Sequence, residues 1–302
     1  LEYIPLNANG IQSIPYDIIS IFKAFRKNDI LLILGVAGVI VLPLIKLLSK
    51  SKIIIHIDGM EWKREKWKSY AKLYLKYSER LALNISDAII ADNSSILDNI
   101  DKKYIKKTSL ITYGGDHAQS KSLPRELLSR LDIGFDEYAF SVCRIVPENN
   151  IKTILKAFKK TEQALVFVGN WSGSVYGLSL LQEFDQVPNI KLINPIYNQI
   201  ELDALRSNCR LYVHGHSAGG TNPSLVEALC LGLNIVCFDV SFNRVTMKEY
   251  GSYFKNQKEL EEIIENPNIS NKLPEEILDY AYKNYKWENI ANDYLNLFKQ
   301  VV

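Results

Sequence analysis

The residues with the most chemical potential lie in one stretch, HGHSAGGTNPSLVEALCLG, from His214 to Gly232. The RLYV run before it reads as a strand, so His214 and His216, two apart, face the same side while the strand lasts. Two such imidazoles could begin a metal site, but no third ligand with fitting spacing is evident. Gly219 and Gly220 let backbone amides come close to a ligand. Thr221 or Asn222 can then cap a helix with Pro223 in its first turn. A helix start preceded by glycines favours phosphate, because free N–H groups and the helix dipole both attract an anion. Glu227 lies about one turn inside that helix, between small and apolar neighbours. A carboxylate there repels phosphate but accepts hydrogen bonds from sugar hydroxyl groups beside it; a solvated helix residue is the alternative.

Other polar residues end strand-like runs. Arg144, in SVCRIVPENN, can neutralise a diphosphate through paired hydrogen bonds or form a surface salt bridge. IIIHIDG ends with His56 and Asp58, which could meet an acceptor hydroxyl or a transferred group. Asp92, Asn93, Asn170, Asn194 and Asp239 close further runs. Ligands of open parallel sheets sit beyond the carboxyl ends of the strands, so polar groups at nearly every such end imply a cleft between two sheets. After IIIHIDG, Lys63, Arg64, Lys66, Lys68, Lys72, Lys76 and Arg80 are interleaved with tryptophan, tyrosine and leucine. That pattern predicts a basic amphipathic helix, suited to an anionic membrane surface or to a solvated face.

The elements that must position these groups alternate between strand and helix. DILLILG, KIIIHIDG, DAIIADN and SLITYGG form one series; YAFSVCRIV, ALVFVGN, IKLINPI, RLYVHGH and NIVCFDV form a second. Apolar strands on this spacing predict parallel sheets covered on both faces, hence two doubly wound α/β domains within 302 residues. The loop GGDHAQSKSLP puts their boundary near residues 116–135. A long helix is expected from about Trp62 to Ser86, and the C-terminal stretch YKNYKWENIANDYLNLF is an amphipathic helix. ILLILGVAGVIVLPLI, from Ile30 to Ile45, is too short for a membrane span and is broken by Gly35, Gly38 and Pro43; it reads as a strand, a glycine turn and a helix start. A formal charge of +2 excludes a strongly basic nucleic-acid binder. Cys143, Cys209, Cys230 and Cys237 sit in apolar segments without metal-like spacing and read as reduced core residues of a cytosolic protein. The chain opens on Leu1 without a secretory signal, and LEYIPL reads as a strand in mid-domain, which points to a processed or truncated start.

With these residues in place, the chain resembles bacterial glycosyltransferases of family 4, which have the GT-B fold. The subgroup it is most similar to is the rhamnosyltransferase type of capsule, exopolysaccharide or O-antigen synthesis. The stretches that carry the likeness are LILGVAG, IDGMEWKR, IIADN, YGGDHA, CRIVPENN, VGNWSGSVYG, HGHSAGGTNPSLVEA and DVSFNR, spread over nearly the whole chain. The resemblance implies an acceptor-side Rossmann-like domain over 1–117 that lacks its N-terminal strand and glycine-rich loop. It further implies a donor-binding domain over 118–285 and a final helix, 286–302, that crosses back to the first domain. It implies a retaining enzyme that uses a nucleotide-diphospho-sugar, dTDP-L-rhamnose being favoured, and a lipid-linked oligosaccharide acceptor. No metal, other cofactor or nucleic acid is expected, and the location is cytoplasmic, peripheral to the inner membrane face. Glu227 then holds the donor ribose, Arg144 faces the diphosphate, and the amides around Thr221, Asn222, Ser224 and Leu225 cradle the distal phosphate. Asn170, His216, Gly219 and Gly220 complete the donor side, and His56 with Asp58 stands near the reacting sugar. Two positions depart from the family pattern: Gly219 stands where a glutamate is common, and Asn149 where a lysine is common. An epimerase or hydrolase of the same fold, using His56, Asp58 and Glu61, is one alternative; an inactive, truncated nucleotide-sugar-binding chain is the other.

Overall fold

The computed structural model describes residues 3–6, 12–57, 59, 62, 69–134, 137–266 and 273–302. It divides into two compact units, one of Leu1–Thr112 with Ala291–Val302, the other of Tyr113–Ile290. The division after Thr112 precedes the expected boundary because 113–118 is bonded to the second unit; Gly115 N–H, for example, donates to Tyr285 O at 2.9 Å.

In the first unit the elements are α1 (Ser13–Ala24), β1 (Ile30–Leu34), α2 (Leu42–Leu48), β2 (Lys52–Ile57), α3 (Ser69–Ile85), β3 (Ala88–Ala91), α4 (Ser94–Leu97), α5 (Lys102–Ile105) and β4 (Thr108–Leu110). The strands are parallel in the order β1-β2-β3-β4, with Leu34 beside His56 and Ile57 beside Ala91. The apolar run at 30–45 is divided among β1, a short 3-10 turn at Val39–Val41 and the start of α2. LEYIPL, expected as a strand, holds none among its described residues 3–6; Leu6 N–H turns back to Ile4 O. Residues 63–68 of the expected long helix lie outside the described residues, and α3 carries its remainder.

The second unit runs α6 (Arg125–Arg130), β5 (Ala139–Val142), α7 (Ile151–Lys160), β6 (Leu165–Val168), α8 (Val175–Phe184), β7 (Ile190–Ile193), α9 (Gln199–Ser207), β8 (Leu211–His214), α10 (Pro223–Cys230), β9 (Ile235–Phe238), α11 (Ser241–Met247), β10 (Ser252–Phe254), α12 (Gln257–Glu265) and α13 (Pro274–Asn284). The last helix, α14 (Trp287–Val301), starts in this unit and continues in the first. Its parallel sheet has the order β10-β9-β8-β5-β6-β7, so the winding direction reverses where β5 meets β8. Period-2 alternation buries both faces. Phe140, Val166, Tyr212 and Cys237 pack toward α6, α9, α10 and α13, while Ala139, Phe167, Val213 and Val236 pack toward α7, α8 and α12. The reversal leaves a crevice at the carboxyl ends of β5 and β8, since the two loops leave toward opposite faces.

Candidate functional site

The loops after β5, β6 and β8 converge at that crevice. Ser217 donates its N–H and its hydroxyl to Glu148 O at 2.8 and 2.7 Å, and Asn150 Nδ2 donates to Gly215 O at 2.9 Å. Gly215 has no room for a side chain: a Cβ there would lie 2.2 Å from Asn149 O. The loop after β9 joins through Asn243 Nδ2, which donates to His216 O and Phe238 O. Asn149, at the position where a lysine is common, is buried and donates to Arg144 O at 2.8 Å. It holds the arginine's backbone instead of supplying charge. Arg144 itself is exposed and makes no ion pair among the described residues. Asn170 is exposed on the neighbouring loop.

Beyond β8, Gly219 has φ +135°, a conformation that strains any residue with a Cβ, although the space around it is open. Asn222 caps α10: its Oδ1 accepts from Ser224 N–H at 3.1 Å and from Ser224 Oγ at 2.8 Å. Leu225 N–H donates to Asn222 O. The Ser224 and Leu225 amides, expected to face phosphate, are thus occupied by the cap. The amides of Gly219, Gly220 and Asn222 donate to no acceptor among the described residues. Thr221 is buried between them. These open donors, the helix start and the exposed Arg144 form a polar rim suited to an anion.

Glu227 sits on α10 with a side chain only 14 % exposed. Its Oε2 lies 2.5 Å from Nη1 of Arg206, on α9, whose side chain is 2 % exposed. Its Oε1 lies 3.0 Å from Nε2 of His117. Asp203 also approaches Nη1 of Arg206, with its Oδ1 3.8 Å away, and accepts from Gln119 N–H and Gln199 Nε2. Sequence reasoning did not single out Arg206, Asp203 or His117. The signal available was the i, i+3 pair of opposite charges in LDALRS, a segment of otherwise apolar residues, and the histidine in YGGDHA.

His214 is fully buried and stacks on His216 with centroids 4.2 Å apart. Neither of its ring nitrogens has a hydrogen-bond partner among the described residues. Burial, with a smaller contribution from His216, holds its pKa well below the ordinary value. Among the described residues no group of His, Cys, Asp or Glu side chains could hold a metal. Asp239 is taken up by a bidentate pair with Arg244, and Asn194 lines a separate surface hollow of about 520 Å³ with Arg130 and Lys191.

In the first unit His56 is the penultimate residue of β2, buried, and desolvation lowers its pKa to about 4. Its carbonyl accepts from Gly35 N–H at 3.0 Å. Asp92 and Asn93 are buried at the end of β3, where Asn93 Oδ1 caps α4 through Ser95 N–H and Oγ. Asp58 lies outside the described residues, as do Glu61 and the basic positions 63, 64, 66 and 68.

Comparison with known proteins gives two family matches. Residues 131–284 match the model of glycosyl transferases group 1, and residues 6–116 match a domain of unknown function, DUF1972. No curated protein matches the chain. Among solved structures, sucrose-phosphate synthase from Thermosynechococcus elongatus aligns over all of this chain and 85 % of its own, with a TM-score of 0.78 at 16 % identity. Anabaena HepE in complex with UDP and glucose aligns over 94 % of this chain and 81 % of its own, with a TM-score of 0.75 at 13 % identity. The S. aureus MnaA–UDP structure aligns over 96 % and 83 %, with a TM-score of 0.62 at 15 % identity. These likenesses show a shared α/β fold with parallel sheets.

Proposed function

The chain belongs to the glycosyl transferases group 1, on the GT-B fold, and from that premise we propose that it transfers a sugar, with retention, from a nucleotide-diphosphate donor to a lipid-linked oligosaccharide. The observation that carries this reading is the polar rim at the β5/β8 reversal: on the loop after β5 an exposed Arg144, and on the loop after β8 the amides of Gly219, Gly220 and Asn222, all without a partner among the described residues. When the bond from the anomeric carbon to the diphosphate breaks, negative charge grows on the leaving oxygen. Donors already fixed at that position stabilise the charge without reorganising, which is where most of the rate enhancement originates. Arg144 and these amides supply such donors, so the reading needs no metal. Glu227, one turn into α10, accepts from the ribose of the donor, and Asn170 and His216 contribute to the donor side. The HepE and MnaA structures are complexes with UDP, which supports a nucleotide-diphosphate donor. The resemblance to rhamnosyltransferases favours dTDP-L-rhamnose.

His56 has the character of a neutral hydrogen-bonding group at pH 7 and supports a role beside the reacting sugar rather than as a cation. A membrane-borne acceptor, at the cytoplasmic face, is supported by the surface of α2 and α3. Leu44, Leu47, Leu48, Tyr70, Leu73 and Tyr77 are exposed there, and Lys72, Lys76 and Arg80 lie on the same α3 helix. No described helix is long and apolar enough to cross a membrane.

The test is to incubate the chain with UDP- and dTDP-sugars and a polyprenyl-diphosphate-linked acceptor, with products read by mass spectrometry. Transfer that falls by about a hundredfold in Arg144→Ala, the cost of one lost transition-state donor, is expected. Free sugar or an epimer released without acceptor would replace transfer by hydrolysis or epimerisation.

A further inference from the structure

We propose that Arg206 and His117 are positioning residues that clamp the Glu227 carboxylate in a single plane for the donor's sugar hydroxyls. The inference rests on the reading of Glu227 as the ribose-binding group. Each oxygen of the carboxylate has its own partner, from a different part of the chain: Arg206 at 2.5 Å on Oε2 and His117 at 3.0 Å on Oε1. Two contacts from different directions fix the rotation of the carboxylate about its last bond, which a single contact leaves free. Each oxygen keeps one further lone pair for a ligand.

The state of His117 follows from its other nitrogen. Trp287 Nε1–H can only donate, and it donates to His117 Nδ1 at 3.0 Å. Nδ1 therefore carries no proton, Nε2 does, and Nε2–H donates to Glu227. Trp287 is itself held by its N–H, which donates to Asp116 Oδ1 at 2.8 Å. Asp203, the second carboxylate at Nη1 of Arg206, is fixed by Gln119 N–H at 3.1 Å and by Gln199.

The arrangement is not one that stability alone would favour. Arg206 is almost wholly buried, its Nε has no hydrogen-bond partner among the described residues, and its Nη1 meets Glu227 off the hydrogen-bond direction. A buried ion pair so incompletely bonded gains little over apolar packing. What it does provide is a rigid acceptor, set before the ligand arrives, so that less conformational freedom is lost on binding.

The test measures UDP and dTDP affinity by calorimetry for wild type, Glu227→Gln, Arg206→Met, His117→Phe, and each of the last two combined with Glu227→Gln. His117 is 41 % exposed, so its variant keeps the test alive if Arg206→Met fails to fold. Glu227→Gln is expected to weaken binding about tenfold or more, the scale of a hydrogen bond to a charged group. Arg206→Met and His117→Phe should each weaken it by roughly tenfold on their own, yet by less than about twofold in the Glu227→Gln background. A merely structural role predicts equal losses in both backgrounds, and that result overturns the clamp. Weakening by Glu227→Gln without any effect of the two single variants overturns the clamp and keeps the ribose reading. Wild-type affinity in Glu227→Gln overturns the ribose reading itself, and the clamp with it.

Discussion

At the carboxyl end of β2, His56 is buried and held neutral, whereas at the carboxyl end of β5 Arg144 stands exposed without an ion partner among the described residues. The same contrast runs through the neighbouring strands. In the first unit Asn93 spends its side chain on capping α4 and Asp92 is buried. In the second, the loop after β8 leaves amides open among the described residues, and Glu227 on the helix that follows is paired with Arg206 of α9 and bonded to His117 of the segment before α6. Burial makes a polar group selective for neutral or fully paired states, while exposure at a sheet reversal leaves charge available to a ligand. The second unit thus leaves donors exposed beyond its strands, and the first buries the polar groups that close β2 and β3.

That contrast can be broken at its most buried point. Arg206→Met removes one member of the Asp203–Arg206–Glu227 cluster and should cost about 3–5 kcal/mol, because two carboxylates are left without their cation. Urea titration measures it, and a loss below about 1 kcal/mol would mean the carboxylates are not held by Arg206.

His56 tests the first unit. Its folded pKa of about 4 lies below the ordinary 6.5, so on acidification the unfolded chain takes up a proton that the folded chain refuses. Stability is expected to fall as pH drops from about 6.5 to about 4, by about 3 kcal/mol in all. Asp17, pushed up to about 6 by burial, acts in the opposite sense and adds stability as pH falls from about 6 to 3.8. The pH dependence should therefore be read as the difference between wild type and His56→Asn; parallel curves for the two would remove His56 from this account.

Arg144→Ala sharpens the comparison from the other side. Without an ion partner to lose, stability should stay within about 0.5 kcal/mol of wild type. Transfer should nevertheless drop by roughly a hundredfold, so an equal loss of fold and activity would contradict an exposed, ligand-directed arginine. The smallest effect is expected at Gly219. A glutamate there meets open space but must adopt φ +135°, at a cost on the order of 1–3 kcal/mol. Gly219→Ala should show the same drop in melting temperature; a cost confined to Gly219→Glu would point to the carboxylate instead of the backbone.

Much of the local structure was legible because its causes are local. LVFV is apolar at every position and KIIIHI carries three isoleucines in a row, as a strand covered on both faces requires, and β6 and β2 lie there. Asn222 followed by Pro223 reads as a helix start, and it is one. The cap's own bonding was not legible: Asn222 Oδ1 takes Ser224 N–H, and the amides without an acceptor among the described residues are those of Gly219, Gly220 and Asn222. The short strand β10 carried too few residues to show a period.

The order of apolar and polar residues by itself determined the two series of strands and helices, the glycine turn after β8 and the place of Glu227 on α10. Only the tertiary structure decided what Glu227 touches. His117 precedes it by 110 positions, and Arg206 comes from the preceding helix. No periodicity links such residues, because their meeting depends on which face of the sheet α9 and α10 share and on where the segment before α6 is bonded. A carboxylate among apolar neighbours is written in the chain; the cation that makes its burial affordable is supplied by the fold.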